Sequence, residues 1–240
     1  MQIDVALSPS EIGHINLRGN TVVVIDVLRA SSTIIAAVEN GCERVIPVRD
    51  ERDAFTTAKA CSKTQPLLCG ERNGVKIKGF DLGNSPREYL PQVVKNRTLI
   101  LTTTNGTQLF QYAAAAAKVF IGALVNAQAL ASLLLHEKRN IVILCAGKEG
   151  RFSLEDCYCA GIICHKIRSM CGNDILISNT AQMSEIIYNS YDSKTLEMLK
   201  YSEHGQYLTS IGFDKDLDAC AATDSSATIP VWEEGSIRAI

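Results

Sequence analysis

Residues 21–33 read TVVVIDVLRASST, and this stretch decides the fold. The run 22–25 consists of β-branched apolar residues and has the length and composition of a strand buried on both faces. The small and hydroxyl-bearing residues at its end suit the first turn of a helix that continues over residues 32–40. A buried strand that leads directly into a helix is the building unit of an α/β sheet.

The polar residues of this stretch indicate what such a sheet edge would bind. Open α/β sheets bind ligands at the carboxyl ends of their strands, and helix N-termini attract anions. Asp26 at the strand end suits a cation, and Arg29 suits an oxyanion, although an acid there also suits a helix cap. The hydroxyls expected to assist Arg29 are those of Ser31, Ser32 and Thr33. The combination points to metal-assisted phosphate chemistry.

The rest of the chain repeats the same alternation of strands and helices. Strands are predicted at residues 3–7, 22–27, 44–48, 66–69, 98–102, 118–121 and 141–145, with two more near 227–231 and 236–240. Helices are predicted near residues 32–40, 51–62, 86–94, 107–116, 127–137, 153–170, 184–191, 193–200 and 203–211. This order predicts a three-layer αβα fold with a largely parallel, mixed sheet and a helical C-terminal portion. We expect one compact domain over residues 1–240, with possible lobes 1–150 and 151–240.

Composition narrows the class of partner and the compartment. The chain has 24 basic and 26 acidic residues and a net charge of −2, which favours neither a nucleic acid nor a membrane surface. No secretory signal opens it, and the nine cysteines show no disulfide-framework spacing. We therefore expect a cytoplasmic protein with reduced thiols, including the helically spaced Cys157, Cys164 and Cys171. The apolar helix at 127–135 suits the core or a homodimer interface equally.

Four further polar, glycine-rich segments follow predicted strands. They are GERNG at 70–74, GFDLGNSP at 79–86, TTTNGT at 102–107 and CAGKEGR at 145–151. Each is also ordinary turn or capping chemistry when taken alone. Parallel strands send their C-terminal loops to the same edge of the sheet, so the five loops together predict a single site.

Two acids that follow the last of these loops are candidate metal ligands. Mg²⁺ prefers carboxylate oxygens and retains several waters, and Asp26 with Glu155 or Asp156 would supply such a site. The same pair in the first turn of a helix also complements the helix dipole. Glu71 and Asp81 are further candidates for metal binding or for the role of general acid.

A competing interpretation uses cysteine chemistry. Cys145 and Arg151 have the spacing of cysteine phosphatases, in which a thiolate attacks phosphorus and an arginine holds the equatorial oxygens. Phe152 occupies the next position, where a hydroxyl is usual. A third alternative, from another class, is a non-catalytic protein that binds phosphorylated acids with the same loops.

The motifs VVVIDVLRASST, GERNG with GFDLGNSP, LTTTNGT and CAGKEGRFSLEDCYCAG, taken in order, resemble the 2-phosphosulfolactate phosphatase (ComB) family over nearly the whole chain. The resemblance implies an α/β, Mg²⁺-dependent hydrolase that removes phosphate from 2-phospho-3-sulfolactate in coenzyme M biosynthesis. The departures are serines at 31 and 32 where threonine is expected, and Asn73 where glycine is expected. Neither departure removes a charge.

Together, the residues and the resemblance predict the hydrolysis of a small, highly anionic phosphomonoester. Asp26, with Glu155 or Asp156, would hold Mg²⁺, and Arg29 would hold the equatorial phosphoryl oxygens. The sequence is compatible with two routes, direct attack of water on phosphorus and formation of an aspartyl phosphate on Asp26. Residues expected to bind the phosphate, the carboxylate or the sulfonate are Ser31, Ser32, Thr33, Arg72, Thr103, Thr104, Asn105, Gly106, Thr107, Lys148 and Arg151.

Overall fold

Strands of the chain form a single mixed sheet. In the computed structural model, which describes residues 1–61, 65–172, 175–191 and 194–240, this sheet has 11 strands in the order β5-β4-β6-β3-β11-β10-β7-β2-β8-β1-β9. The strands are β1 Gln2–Ala6, β2 Thr21–Ile25, β3 Arg44–Pro47, β4 Leu67–Arg72, β5 Val75–Lys76, β6 Thr98–Thr102, β7 Lys118–Gly122, β8 Ile141–Cys145, β9 Leu176–Ile177, β10 Pro230–Glu233 and β11 Ser236–Ala239.

Helices connect the strands and make up most of the C-terminal portion. The α-helices are α1 Ala30–Glu39, α2 Glu51–Ala60, α3 Pro91–Val94, α4 Leu109–Ala113, α5 Ala127–Glu137, α6 Leu154–Cys171, α7 Asn179–Ser190, α8 Thr195–Tyr201, α9 Glu203–Ser210 and α10 Asp214–Ala221. Short 3-10 turns lie at Pro9–His14, Pro86–Glu88, Gly106–Gln108 and Leu124–Asn126. Among the described residues, no helix is both long enough and apolar enough to cross a bilayer.

The sheet consists of two parallel blocks joined by an antiparallel hairpin. Strands β7, β2, β8, β1 and β9 pair in parallel, as do β3, β6 and β4. The C-terminal hairpin β10–β11 lies between the blocks and pairs antiparallel with β7 on one side and β3 on the other. The predicted largely parallel, mixed sheet is confirmed.

Helices cover both faces of the sheet because β2 and its neighbours are apolar on both faces. Val22 and Val24 belong to the same core cluster as Ile34 of α1, whereas Val23 and Ile25 pack with the cluster that contains α5 and α6. Successive residues of a strand point to opposite faces, so one continuous apolar run serves two helical layers. The predicted three-layer αβα architecture is therefore confirmed.

Local differences from the predicted elements have identifiable causes. The helix predicted over residues 86–94 is divided into the Pro86–Glu88 turn and α3. Leu90 between them is extended (ψ 153°), because the residue before a proline is pushed away from helical geometry. The helix predicted over 107–116 is reduced to α4 after a 3-10 turn. Helix α7 begins earlier than predicted because Ser178 caps it by accepting a hydrogen bond from the Ala181 amide.

Three short elements were not predicted, and two predicted helices touch residues outside the described part. Strands β5 and β9 have two residues each, which is too short for a periodic signal. Helix α10 lies in an Asp-rich segment whose mean apolarity is low. The predicted end of one helix at residue 62 and the start of another at residue 193 fall outside the described residues.

Candidate active site

A cavity of about 180 Å³ opens at the carboxyl edge of the sheet. All five polar loops singled out in the sequence contribute to its wall, and α9 adds a sixth segment. The lining residues are Asp26, Leu28, Arg29, Glu71, Asn73, Gly74, Asn84, Thr104, Asn105, Lys148, Glu149, His204 and Tyr207. The convergence of separate loops at one edge is the arrangement expected for ligand binding in open α/β sheets.

Asp26 lies directly after β2. Of its two carboxylate oxygens, Oδ1 accepts a hydrogen bond, whereas Oδ2 accepts none from the described residues. The Ala30 amide at the start of α1 donates to Oδ1 at 3.2 Å. Burial raises the pKa of Asp26 to about 7; the Ala30 amide opposes the shift, and the nearby Glu71 and Glu155 carboxylates add to it. A buried carboxylate with a raised pKa in a cavity is a candidate functional residue.

The hydroxyls after Asp26 shape the loop and make no contact with the cavity. Ser31 Oγ accepts a hydrogen bond from the Asp26 amide (2.9 Å) and donates to the Val24 carbonyl. Ser32 Oγ donates to the Val27 carbonyl, and Thr33 Oγ1 donates to the Asn84 carbonyl, each at 2.8 Å. The described structure therefore uses the three side chains to fix the backbone around Asp26.

The Asp156 carboxylate also bonds the backbone. Its Oδ1 accepts a hydrogen bond from the Val27 amide (2.8 Å) and its Oδ2 accepts one from the Gly147 amide (3.0 Å). This single carboxylate thus joins the loops that follow β2 and β8. Burial, with Asp26 and Glu155 nearby, raises the pKa of Asp156 well above its usual range. It does not line the cavity.

Arg29 is buried, with 2% of its surface exposed, and it lines the cavity. Its Nη1 donates to Asp216 Oδ2 at 2.7 Å, and its Nη2 donates to the Gly74 carbonyl at 2.5 Å. The guanidinium also lies over the Phe213 ring, 4.4 Å from the centroid. Arg29 is therefore held from the β4–β5 hairpin on one side and from α10 on the other.

Glu71 is positioned by the tight hairpin between β4 and β5. The two loop residues, Asn73 and Gly74, both have positive φ (50° and 73°), as a two-residue Asn-Gly hairpin turn requires. Glu71 Oε2 accepts a hydrogen bond from the Gly74 amide, and its Oε1 accepts one from the Thr104 amide, each at 2.8 Å. The carboxylate thereby ties the hairpin to the loop after β6.

The opposite wall carries Lys148, His204 and Tyr207. Lys148 Nζ donates to Glu203 at 2.9 Å and lies 5.6 Å from the centroid of the Tyr207 ring. Burial, together with Lys148 and Arg29, lowers the pKa of His204 to about 4, so the imidazole is neutral at pH 7. Tyr207 Oη donates to the Asn73 carbonyl at 3.0 Å and bridges α9 to the hairpin.

Glu155 lies behind this wall. Its carboxylate is 3.8 Å from His204 Nδ1, and burial raises its pKa. Its own backbone amide and the nearby Ser153 and Ser202 hydroxyls oppose that rise in pKa. Neither Glu155 nor Asp156 lines the cavity. Of the predicted metal-binding acids, Asp26 and Glu71 are the two that face the cavity.

Within the TTTNGT loop, the residues divide into two groups. Thr104 and Asn105 line the cavity, whereas Thr103 and Thr107 bond each other through their hydroxyls and amides. Gly106 packs against Asp26: a Cβ atom there would lie 2.5 Å from Asp26 Oδ2 and 2.8 Å from the Ala30 Cβ. The absence of a side chain at Gly106 therefore makes room for the Asp26 carboxylate.

Other predicted residues lie away from the cavity. Arg72 donates to its neighbouring Glu71 carbonyl and to Thr102, and it faces Glu51 at 3.6 Å. Asp81 is exposed and accepts a hydrogen bond from the Leu68 amide. Arg151 is exposed, and among the described contacts only its backbone meets the loop, pairing with Lys148.

Cys145 is part of the core. It is fully buried at the end of β8, and burial raises the pKa of its thiol well above the usual value. A reactive cysteine needs an accessible thiolate, which this environment disfavours. Cys157 and Cys164 are likewise buried on α6, whereas Cys171 is half-buried. These positions support the interpretation of the cysteines as packing residues and give no support to a cysteine phosphatase.

The sequence argument missed several residues of the site, including Asp216, which bonds Arg29 but does not line the cavity. His204, Tyr207 and Asp216 lie in the C-terminal helices, whose packing over the sheet edge has no signature in a single sequence. Asn84 lies within the GFDLGNSP segment but was not among the predicted binding residues. Its Oδ1 is buried and has no hydrogen-bond partner in the part of the chain that the structure describes. Because a buried unpartnered oxygen is costly, Asn84 offers a contact to a ligand.

Comparison with known proteins identifies the family of the chain. The family model described as 2-phosphosulpholactate phosphatase matches residues 6–235, which include every residue that lines the cavity. The chain belongs to this family. The resemblance found in the sequence motifs is thereby confirmed.

Curated relatives extend over nearly the full length. A protein of Caldanaerobacter subterraneus subsp. tengcongensis, named probable 2-phosphosulfolactate phosphatase, is 39% identical over 93% of this chain and 92% of its own length. Proteins of the same name from Clostridium tetani and Symbiobacterium thermophilum are 36% and 39% identical, covering 99% and 92% of this chain and 100% and 94% of their own lengths. These names indicate a phosphoric monoester hydrolase, which is the class of enzyme that the residues and the resemblance predict.

Proposed function

We propose that the chain hydrolyses 2-phospho-3-sulfolactate to 3-sulfolactate and phosphate at the cavity around Asp26. The observation that carries this proposal is that the family match spans all the loops that build the cavity. The cavity also has the chemical groups that phosphoryl transfer requires, namely a buried carboxylate and a fixed guanidinium. The reaction would supply sulfolactate, directly or as a step of coenzyme M biosynthesis. The nine cysteines, all free of disulfides, support a cytoplasmic location.

The charge of the cavity supports a requirement for Mg²⁺. Asp26, Glu71 and Glu149 line it together with two cationic side chains, Arg29 and Lys148, each of which already faces an acid. A substrate with phosphate, carboxylate and sulfonate groups would meet uncompensated negative charge there. A divalent cation would offset that repulsion, polarise a phosphoryl oxygen and neutralise charge on the leaving oxygen.

The residues present fit such a cation. Among the described residues, no three Asp, Glu, His or Cys side chains converge as a preformed cage. Mg²⁺ does not need one, because it is usually held by one or two carboxylates, with waters and substrate oxygens completing its shell. Asp26 would be the main ligand through its open Oδ2, with Glu71 as the second carboxylate. Both side chains present carboxylate oxygens, which suit a hard cation.

The remaining groups of the cavity bind and orient the substrate in this proposal. Arg29 directs its free N–H groups at the phosphoryl oxygens, and its planar fork favours a tetrahedral oxyanion. Lys148, on the opposite wall, receives the carboxylate or the sulfonate. Asn84 presents a carboxamide, and the neutral imidazole of His204 adds a neutral polar surface between Lys148 and Glu155. Removing one essential charge should reduce turnover on the order of a hundredfold.

Phosphate release from a panel of phosphomonoesters tests the proposal. The panel contains racemic 2-phosphosulfolactate, phospholactate, phosphoglycerate and p-nitrophenyl phosphate, each with Mg²⁺ and with EDTA. The proposal predicts metal-dependent release that is fastest with the sulfonated acid. Binding of 2-phosphosulfolactate without any release would indicate a non-catalytic binding protein, and release that survives EDTA would exclude the metal-assisted scheme.

A further inference from the structure

The ion pair between Arg29 and Asp216 connects the cavity to the C-terminal helices. Asp216 lies in α10, it is 1% exposed and it does not line the cavity. Its Oδ2 accepts the 2.7 Å hydrogen bond from Arg29 Nη1. The contact spans 187 positions in sequence, so it forms only when the C-terminal helices dock on the sheet edge.

The second oxygen of Asp216 is anchored as well. Ser85 Oγ donates a hydrogen bond to Asp216 Oδ1 at 2.6 Å. The chain at Ser85 is itself held in place, because the carbonyl of the preceding Asn84 accepts a hydrogen bond from Thr33. The carboxylate is therefore fixed by a hydroxyl on one side while it fixes a guanidinium on the other. With both oxygens bonded to side chains and no part of it lining the cavity, the Asp216 carboxylate has one orientation.

Stability alone does not account for such a pair. Moving two charges out of water carries a large desolvation cost, so a buried ion pair is often no more stabilising than well-packed apolar residues of similar volume. The long side chain of Arg29 has many rotamers, so holding it in one orientation in the cavity requires contacts that restrict them. The Asp216 and Gly74 contacts to the two terminal nitrogens, together with the Phe213 ring, provide that restriction.

We propose that Asp216 is a positioning residue that holds the guanidinium of Arg29 in the orientation that binds the phosphoryl group. The inference rests on the proposed function, because it assumes that Arg29 contacts phosphate. The two bonds occupy one N–H of each terminal nitrogen and leave the others available for oxyanion contacts. Pre-organised donors bind a developing charge without the cost of reorientation, which is the advantage of holding Arg29 in this way.

A double-mutant cycle on phosphate binding and catalysis tests the proposal. The proteins are wild type, Asp216→Asn, Arg29→Met and the double variant, each with Mg²⁺. The probes are inorganic phosphate, measured by calorimetry, and 2-phosphosulfolactate, measured by kcat and KM. Asp216→Asn should weaken phosphate binding and lower kcat/KM about tenfold, in line with the loss of one charge-assisted hydrogen bond. The double variant should match Arg29→Met within about twofold, because Asp216 acts through Arg29.

Further variants keep the test decisive if Asp216→Asn fails to fold. Ser85→Ala removes the 2.6 Å bond without touching a charge or the cavity, and it should produce a smaller loss in the same direction. Asp224→Asn is the matched control, because it breaks a 2.7 Å ion pair with Lys166 outside the cavity and should leave both readouts unchanged.

Two outcomes would overturn the inference. One is normal phosphate binding in folded Asp216→Asn and Ser85→Ala proteins, and the other is losses that multiply in the double variant. If Arg29→Met itself leaves phosphate binding unchanged, the proposed role of Arg29 fails first, so the two failures are distinguishable. Thermal unfolding of each variant shows whether a loss of binding arises from a loss of fold.

Discussion

Gly106 lies directly against the Asp26 carboxylate, so close that a Cβ atom at position 106 would be 2.5 Å from Asp26 Oδ2. The backbone at Gly106 is not in the left-handed region, so the need for glycine arises from this contact alone. A methyl group would have to displace either the carboxylate or the start of α1, and α1 is packed into the core.

Gly106→Ala should therefore lower kcat about a hundredfold or more, because it moves the group at the centre of the proposed chemistry. Gly150→Ala is a suitable comparison: it has open space around its Cβ position but a positive φ of 77°, so it tests strain without a clash at Asp26. Steady-state kinetics on both variants should show the large loss at 106. Near-normal turnover in folded Gly106→Ala would mean that Asp26 need not occupy its observed position.

The raised pKa of Asp26 makes stability depend on pH in the metal-free protein. Its pKa is about 7 in the folded state against 3.8 for the free group, so the folded state binds the extra proton between these values. The stabilisation from this group is thus fully present below pH 4 and is lost as pH rises through 7. The Asp26→Asn variant lacks this dependence of stability on pH. The difference in free energy of unfolding between the variant and wild type should therefore grow in favour of the variant as pH rises, to at most about 4 kcal/mol.

Urea unfolding in EDTA at pH 4.5 and at pH 8 measures this difference. Asp81→Asn is the control, since Asp81 is exposed and outside the cavity. A difference between Asp26→Asn and wild type that does not change with pH would show that Asp26 is not destabilised by burial.

Lys148 and Arg151 were predicted to share a role, and the structure separates them. Lys148 lines the cavity, whereas Arg151 is exposed outside it. Lys148→Met should raise KM for 2-phosphosulfolactate about tenfold, as expected for one lost charged contact, with a smaller effect on a phosphoester that lacks the sulfonate. Arg151→Met should leave KM unchanged. Equal effects of the two variants would place the second anionic group elsewhere.

Asn84 allows function to be separated from stability. Its Oδ1 has no partner among the described residues, so Asn84→Ala removes an unsatisfied group and should not lower the melting temperature. Asn126 is the contrast, because its side chain bonds the Ala123 amide and the Ile121 and Thr228 carbonyls, and its replacement by Ala should cost about 1–3 kcal/mol. The Asn84→Ala variant should have a higher KM for the substrate and an unchanged melting temperature. The Asn126→Ala variant should have a lower melting temperature. A large loss of stability at 84 would assign that side chain to the fold.

Most of the strands, their largely parallel pairing and the meeting of the five loops were predictable because they follow from local patterns. The apolar run before Asp26 predicts a strand buried on both faces, and strand direction then determines which loops share an edge. The direction of individual side chains was not predictable. Ser31 and Asp156 look like ligand-binding groups in sequence, yet their oxygens bond the backbone, because buried amides must find acceptors.

Long-range partners were equally hidden. Asp216 meets Arg29 and Tyr207 meets Asn73 across most of the chain, and one sequence without relatives contains no signal for such pairs. The division between Lys148 and Arg151 has the same origin: the loop turns between them at Glu149 and Gly150, both with positive φ, which sends the two side chains to different surroundings.

The measurement that tests the account most directly is phosphate release from 2-phosphosulfolactate by wild type, Asp26→Asn and Cys145→Ser, each with Mg²⁺ and with EDTA. The account predicts Mg²⁺-dependent release by wild type, a loss of about a hundredfold or more in Asp26→Asn and little change in Cys145→Ser. Release that continues in EDTA, survives in Asp26→Asn and disappears in Cys145→Ser would contradict it.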